Sequence, residues 1–234
     1  VAGNLDKKRK GEPTWKEKRS LYVESGWLQR ELQKRQKQWQ PRKQRTLVLY
    51  LSTARLWKDG NKKAVKKGVF GRTEAYNHCL DAQHGLDIAF HYIDTLKAVA
   101  VEENGGKLFP AYEAILQAVN EAFREELQPG EEIISSTKYE NDMIALKTAD
   151  GIVLPLQMLS DGYRNVIKII LDIATRMCIL NPYLKGEALK KTPGIVLIDE
   201  LETHLHIELQ KKILPFLTEF FPNIQFIVTT HSPY

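Results

Sequence analysis

Asp199 and Glu200 directly follow a run of four apolar residues, Ile195 to Ile198. Neighbouring carboxylates can hold a hard cation, orient a water or accept a proton. A short continuous apolar run reads as a strand buried on both faces, as inside a parallel sheet. Open α/β sheets bind ligands at the carboxyl ends of such strands. The plain alternative is a buried strand that ends in a solvated acidic turn. His231 sits in a similar place, just past the apolar stretch Ile224–Val228. Its alternative is a solvated loop histidine. Ser160, Asp161 and Gly162 open a long apolar helix. Free N–H groups and the helix dipole favour an anion there, and glycine permits a close backbone approach. A simple N-cap by Ser160 or Asp161 would serve the same helix with no ligand at all.

The elements that must carry these residues can be read from periodicity. The residues Val166, Ile167, Ile169, Ile170, Ile173, Ala174, Met177 and Leu180 give a wide apolar face, so Tyr163–Leu180 is expected to be a helix, stopped by Asn181-Pro182. A second helix is expected over Ile207–Phe221, kinked or divided by the internal Pro215. Thr46–Ser52 is β-rich and almost wholly apolar, and reads as another buried strand. Thr73–Val101 and Phe109–Leu127 read as helices separated by Asn104-Gly105-Gly106. Ile133–Ser136, Met143–Lys147 and Ile152–Leu156 read as short strands. Thr14–Gln40 is expected to be a basic helix ended by Pro41, with Leu21, Leu28, Leu32, Trp27 and Trp39 as its apolar stripe. Lys58–Lys67 is a basic loop. These elements define an α/β fold with a mostly parallel buried sheet flanked by helices. They divide into a basic helical segment (1–45), a strand with a helical and hairpin insertion (46–155), and a lobe carrying the candidate chemistry (156–234).

Charge is unevenly distributed. Residues 1–67 hold 20 Lys and Arg against 6 Asp and Glu, whereas the remainder holds 14 against 23. A basic portion of this kind suits a polyanion such as nucleic acid, although a solvated Lys/Arg face has the same composition. No apolar run approaches the roughly 20 residues of a membrane span. The first residues, VAGNLDKKRK, have no apolar stretch behind their charges and do not read as a signal peptide. Cys79 and Cys178 lie apart with no CxxC pattern, which points to a reduced, cytoplasmic setting. His78, His84 and His91 are spaced by six and seven residues. That spacing does not form the i, i+4 pair of a helical metal site.

Taken in order, Leu159-Ser160-Asp161-Gly162-Tyr163-Arg164, Gly194 to His206 (GIVLIDELETHLH) and FPNIQFIVTTHSP resemble the ABC-type ATPases of the RecF and SMC branch. Within that branch they resemble the PtuA ATPases of Septu anti-phage systems, some of which are attached to retrons. The resemblance is specific over about the last third of the chain. It implies ATP and Mg²⁺ as ligands. Asp199 would hold the metal through bound water, and Glu200 would be the general base. His231 would reach the γ-phosphate. Ser160, Asp161 and Gly162 would face the nucleotide held by a second subunit, with His204 in the loop that crosses the dimer interface. The implied partners are a second copy of the chain, an HNH nuclease of the PtuB kind and nucleic acid. In the retron version a reverse transcriptase with RNA-linked DNA would join them.

Some features depart from that pattern. Asp161 replaces the first glycine of the commoner LSGGQ, and Ile207 stands where the group often has Pro. The loop after Thr46–Ser52 carries Arg55 but no Gln, so no nucleotide role passes to it. The phosphate loop G-x-x-x-x-G-K-[ST] does not occur. At the nearest match, Gly106-Lys107, Val101 stands at the first glycine position and Leu108 at the hydroxyl position. The chain is therefore expected to be part of a longer protein rather than a degenerate subunit. Two other readings compete with the defence ATPase. One is a RecF/SMC-like repair or chromosome-maintenance clamp. The other is a non-enzymatic binding module with a dead nucleotide site.

Overall fold

In the computed structural model of the chain, the residues described are 43–56, 71–82, 86–103, 109–139 and 142–233. The basic helix expected over Thr14–Gln40, the Lys58–Lys67 loop, His84 and the Asn104–Gly106 connection lie outside them. Leu47–Leu51 forms β1. Two helices follow, α1 (Asp87–Glu103) and α2 (Pro110–Ala122). Next come β2 (Glu132–Tyr139), β3 (Asp142–Lys147) and β4 (Val153–Pro155). The long helix α3 spans Asp161–Leu180. A short turn of helix, Ala188–Lys191, then leads to β5 (Gly194–Ile198), α4 (Ile207–Phe220) and β6 (Ile224–Val228).

The apolar segments Leu47–Leu51, Gly194–Ile198 and Ile224–Val228 build one parallel sheet in the order β1-β5-β6. Leu47 pairs with Gly194, and Gly194 pairs in turn with Ile224. This register puts the carboxyl ends of β5 and β6 side by side. Gly194 is dictated by packing, because a Cβ there would lie 2.7 Å from both Leu47 Cβ and Ile224 Cδ1. A second, antiparallel sheet runs β2-β3-β4. The side-chain amide of Asn120 in α2 ties into it, accepting from the Ile133 N–H at 2.7 Å and donating to the Ile133 carbonyl at 2.8 Å.

α3 is the central packing element. Ser160 caps its start, accepting the Tyr163 N–H at 3.4 Å, and Asp161 sits in its first turn, where a negative charge is favoured. Its face of Val166, Ile167, Ile169, Ile170, Ile173, Ala174 and Met177 is fully buried with Leu47, Leu49, Val196 and Ile198 in one core. Each buried Val, Ile, Leu or Met side chain among them contributes about 1.5–3 kcal/mol through burial. Asn181, just past its end, donates to the Arg45 carbonyl and accepts the Arg45 N–H, at 2.9 and 2.8 Å. The end of α3 is thereby fixed to the entry of β1. At its start, Tyr163 stacks on Phe123 with ring centroids 4.6 Å apart.

Two expectations are corrected by this structure, and a third is narrowed. β5 is not buried on both faces: Gly194, Val196 and Ile198 are buried, but Ile195 is 38% exposed. The alternation arises because α3 covers one face of the sheet, while the face of Ile195, Leu197 and Ile227 is only partly covered. The helix expected over Thr73–Val101 begins instead at Asp87. Arg72–Tyr76 is a 3₁₀ turn, Asn77 is extended, and His78 has a φ of +53°, which no right-handed helix accommodates. Of the two outcomes expected at Pro215, division is excluded, because α4 continues from Ile207 to Phe220.

Candidate functional site at the ends of two parallel strands

β5 ends at Ile198, so the chain delivers Asp199 and Glu200 at the carboxyl edge of the sheet, as the apolar run implied. The Asp199 N–H continues the ladder by donating to the Leu51 carbonyl at 2.8 Å. Glu200 then turns into the left-handed region with a φ of +46°, and His204 does the same at +62°. Non-glycine residues enter that region at a cost of about 1–3 kcal/mol, and such residues cluster at ligand sites. The turn between them is held from several sides. The Thr203 hydroxyl donates to Glu200 Oε2 at 3.2 Å, and the Thr203 N–H donates to the Glu200 carbonyl at 3.1 Å.

β6 ends beside β5, and Thr229 immediately after it meets this turn. Thr229 Oγ1 donates to Asp199 Oδ1 at 2.5 Å and accepts the Glu200 N–H at 2.9 Å. Two residues further, the His231 N–H donates to Glu202 Oε1 at 2.5 Å. Burial opposes the charge of Glu202. The His231 N–H and the Thr230 hydroxyl outweigh it and hold the carboxyl below its ordinary range. His231 is therefore placed against the loop that follows Glu200.

The start of α3 completes the arrangement from a third side. Gly162 packs on the His204 carbonyl, which a Cβ would meet at 2.9 Å, and Asn165 Nδ2 donates to the Thr203 carbonyl at 2.9 Å. The close backbone approach expected at Gly162 is thus made by this chain's own loop. Ser160 acts as an N-cap within the chain. Asp161 pairs with Arg164, whose hydrogen bond and charge hold the carboxyl below its usual range. Asp199, Glu200, His204, Gly162 and His231, far apart in sequence, are brought into one cluster. Thr229, Thr203, Asn165 and Glu202 belong to it as well and were missed by the sequence reading. Their only signal was position: two sit within the Glu200–His206 turn, one near the start of α3, and one directly after the last apolar strand.

The donor set suits magnesium. Among the described residues no three His, Cys, Asp or Glu side chains gather to hold a metal. What the site offers is a strand-end carboxylate with a second carboxylate and a hydroxyl beside it, all hard oxygen donors. Mg²⁺ is commonly held by one or two carboxylates, with water and phosphate oxygens completing its shell. Cys79 and Cys178 are buried and unlinked, and burial pushes the Cys79 thiol up to about 11, so neither offers a thiolate.

The sequence has known relatives. Over 92 residues it is 45% identical to the "Retron Vc95 probable ATPase" of Vibrio cholerae serotype O1 biovar El Tor, covering 39% of this chain and 17% of that protein. It is 48% identical over 84 residues to the "Retron Ec83 probable ATPase" of Escherichia coli, covering 36% and 15%. It is 44% identical over 78 residues to the "Septu protein PtuA" of Bacillus mycoides strain KBAB4, covering 33% and 10%. The matched stretch thus spans no more than 17% of the length of any of these three curated relatives. The resemblance to Septu and retron ATPases noted from the motifs is borne out by these names. The family described as "AAA domain, putative AbiEii toxin, Type IV TA system" matches residues 17–234, nearly the whole chain, and the chain belongs to that family.

Proposed function

We propose that this chain contributes the Asp-Glu, signature and His portions of an ATP-hydrolysing site in an anti-phage defence complex of Septu or retron type. The observation that carries the reading is the meeting of Asp199, Glu200 and His231 at the ends of neighbouring parallel strands, with the start of α3 packed on the loop between them. In this reading Asp199 holds the metal through water, and Glu200 takes the proton from the attacking water. Bound Mg²⁺ would neutralise charge on the phosphates. His231 donates to the γ-phosphate from a loop whose backbone Glu202 fixes. Ser160, Asp161 and Gly162, with His204 in the adjoining loop, face the nucleotide of a second subunit, so the working unit is a dimer or a higher assembly. The phosphate loop, absent from these 234 residues, is supplied by sequence outside them. The assembly controls an HNH nuclease and, in the retron case, includes a reverse transcriptase with RNA-linked DNA.

The test is purification of the full-length protein from its own operon, followed by mass spectrometry of the proteins and sequencing of the nucleic acids that accompany it. A co-purifying HNH protein supports the defence reading, and a reverse transcriptase with an RNA–DNA hybrid specifies the retron type. A clean homodimer with neither would overturn the defence reading and favour a repair clamp of the RecF and SMC kind.

A further inference from the structure

Thr229 makes four hydrogen bonds to the segment that carries Asp199 and Glu200. Its N–H donates to the Ile198 carbonyl at 3.0 Å, and its carbonyl accepts the Leu201 N–H at 3.2 Å. Its hydroxyl donates to Asp199 Oδ1 at 2.5 Å and accepts the Glu200 N–H at 2.9 Å. One hydroxyl thus spends its only proton on the first carboxylate and a lone pair on the backbone of the second. The bond to Asp199 requires an oxygen acceptor, and an ionised carboxylate strengthens it. The bond to Glu200 falls where help is needed, because the Glu200 backbone sits at a φ of +46°. The next residue serves a different group: the Thr230 hydroxyl accepts the Ser232 N–H at 3.0 Å and bonds to Glu202.

We infer that Thr229 is a positioning residue for the hydrolytic pair, fixing Asp199 and Glu200 relative to each other and tying both to the strand that leads to His231. This rests on the ATPase reading given above. A mainly structural threonine would not need its hydroxyl between two acidic residues. The backbone bonds of Thr229 already extend the sheet, and any residue could make them. The side-chain bonds require a β-hydroxyl, which only Ser or Thr supplies in this geometry.

The experiment is ATP hydrolysis by the full-length protein, with kcat and KM measured for wild type, Glu200→Gln, Thr229→Val and Thr229→Ser, and with melting temperature recorded for each. Valine keeps the branched shape and removes both side-chain bonds; serine keeps the hydroxyl. The inference expects Thr229→Val to lower kcat roughly ten- to a hundredfold, as small misplacements of reacting groups do. KM should stay within about twofold, and Thr229→Ser should recover most of the loss. It is overturned if Thr229→Val keeps the wild-type kcat, if the change falls mainly on KM, or if serine does not rescue. A wild type that does not hydrolyse ATP, or a Glu200→Gln variant that hydrolyses it normally, overturns the ATPase reading itself and this inference with it. That outcome is distinct from a loss confined to Thr229.

Discussion

The Glu202 carboxylate joins the two loops of the site, because it accepts the His231 N–H and bonds to the Thr230 hydroxyl. These donors overcome the effect of burial and keep its pKa below the usual 4.5. Stability from a depressed carboxyl is present above the unfolded pKa and is lost as pH falls through the folded one. Wild type should therefore melt higher than Glu202→Gln at neutral pH, and the gap should close as the pH drops below about 4.5. A gap independent of pH in thermal melts from pH 7 to pH 3 would contradict this linkage. Gly162 gives a second residue-scale prediction. Gly162→Ala would set a methyl carbon 2.9 Å from the His204 carbonyl oxygen, which is backbone and cannot swing aside. A cost of about 1–3 kcal/mol is expected in urea unfolding, typical of overpacking. Unchanged stability would mean that the loop yields freely.

At the scale of elements, α3 was legible as a helix but not as a buried one. Its apolar face is plain in the sequence. Its opposite residues Asn165, Lys168, Asp172, Thr175 and Arg176 are polar or charged, yet all are buried. Periodicity cannot separate a solvated polar face from one that meets further protein. Arg176 is the clearest case. Its side chain is 0% exposed, its Nε bonds Asp172 at 2.6 Å, and its Nη1 donates to the carbonyls of Ala75 and Asn77 at 2.6 and 2.9 Å. It thereby holds the Arg72–Tyr76 turn onto the helix that presents Gly162. Arg176→Ala would leave a buried carboxylate and two carbonyls without this partner, a loss of about 3–5 kcal/mol in denaturant unfolding. A loss under about 1 kcal/mol would show that water or a neighbour replaces the guanidinium. The error over Thr73–Val101 has a similar origin. Composition there favours a helix throughout, and nothing in it announces the left-handed His78.

For the whole molecule, the three motifs disclosed which residues would meet, because strand ends in a parallel sheet converge on one edge. They did not disclose how the meeting is held. That depends on hydroxyls and amides such as Thr229 and Asn165, whose partners are set by register and by packing distant in sequence. The charge asymmetry is a further property of the whole chain. If the Lys and Arg of residues 1–67 meet phosphates, nucleic-acid affinity of the full-length protein should fall steeply between 50 and 200 mM salt, by about 10³-fold or more for six contacts. A flat salt dependence would reduce them to a solvated face. In the proposed function the Asp199-Glu200 turn hydrolyses ATP. Its most direct test is Glu200→Gln in the full-length protein, with ATP binding and turnover measured side by side. Binding should stay intact and turnover should fall by about 10²–10⁴-fold, the usual contribution of a general base. Hydrolysis at the wild-type rate would contradict it.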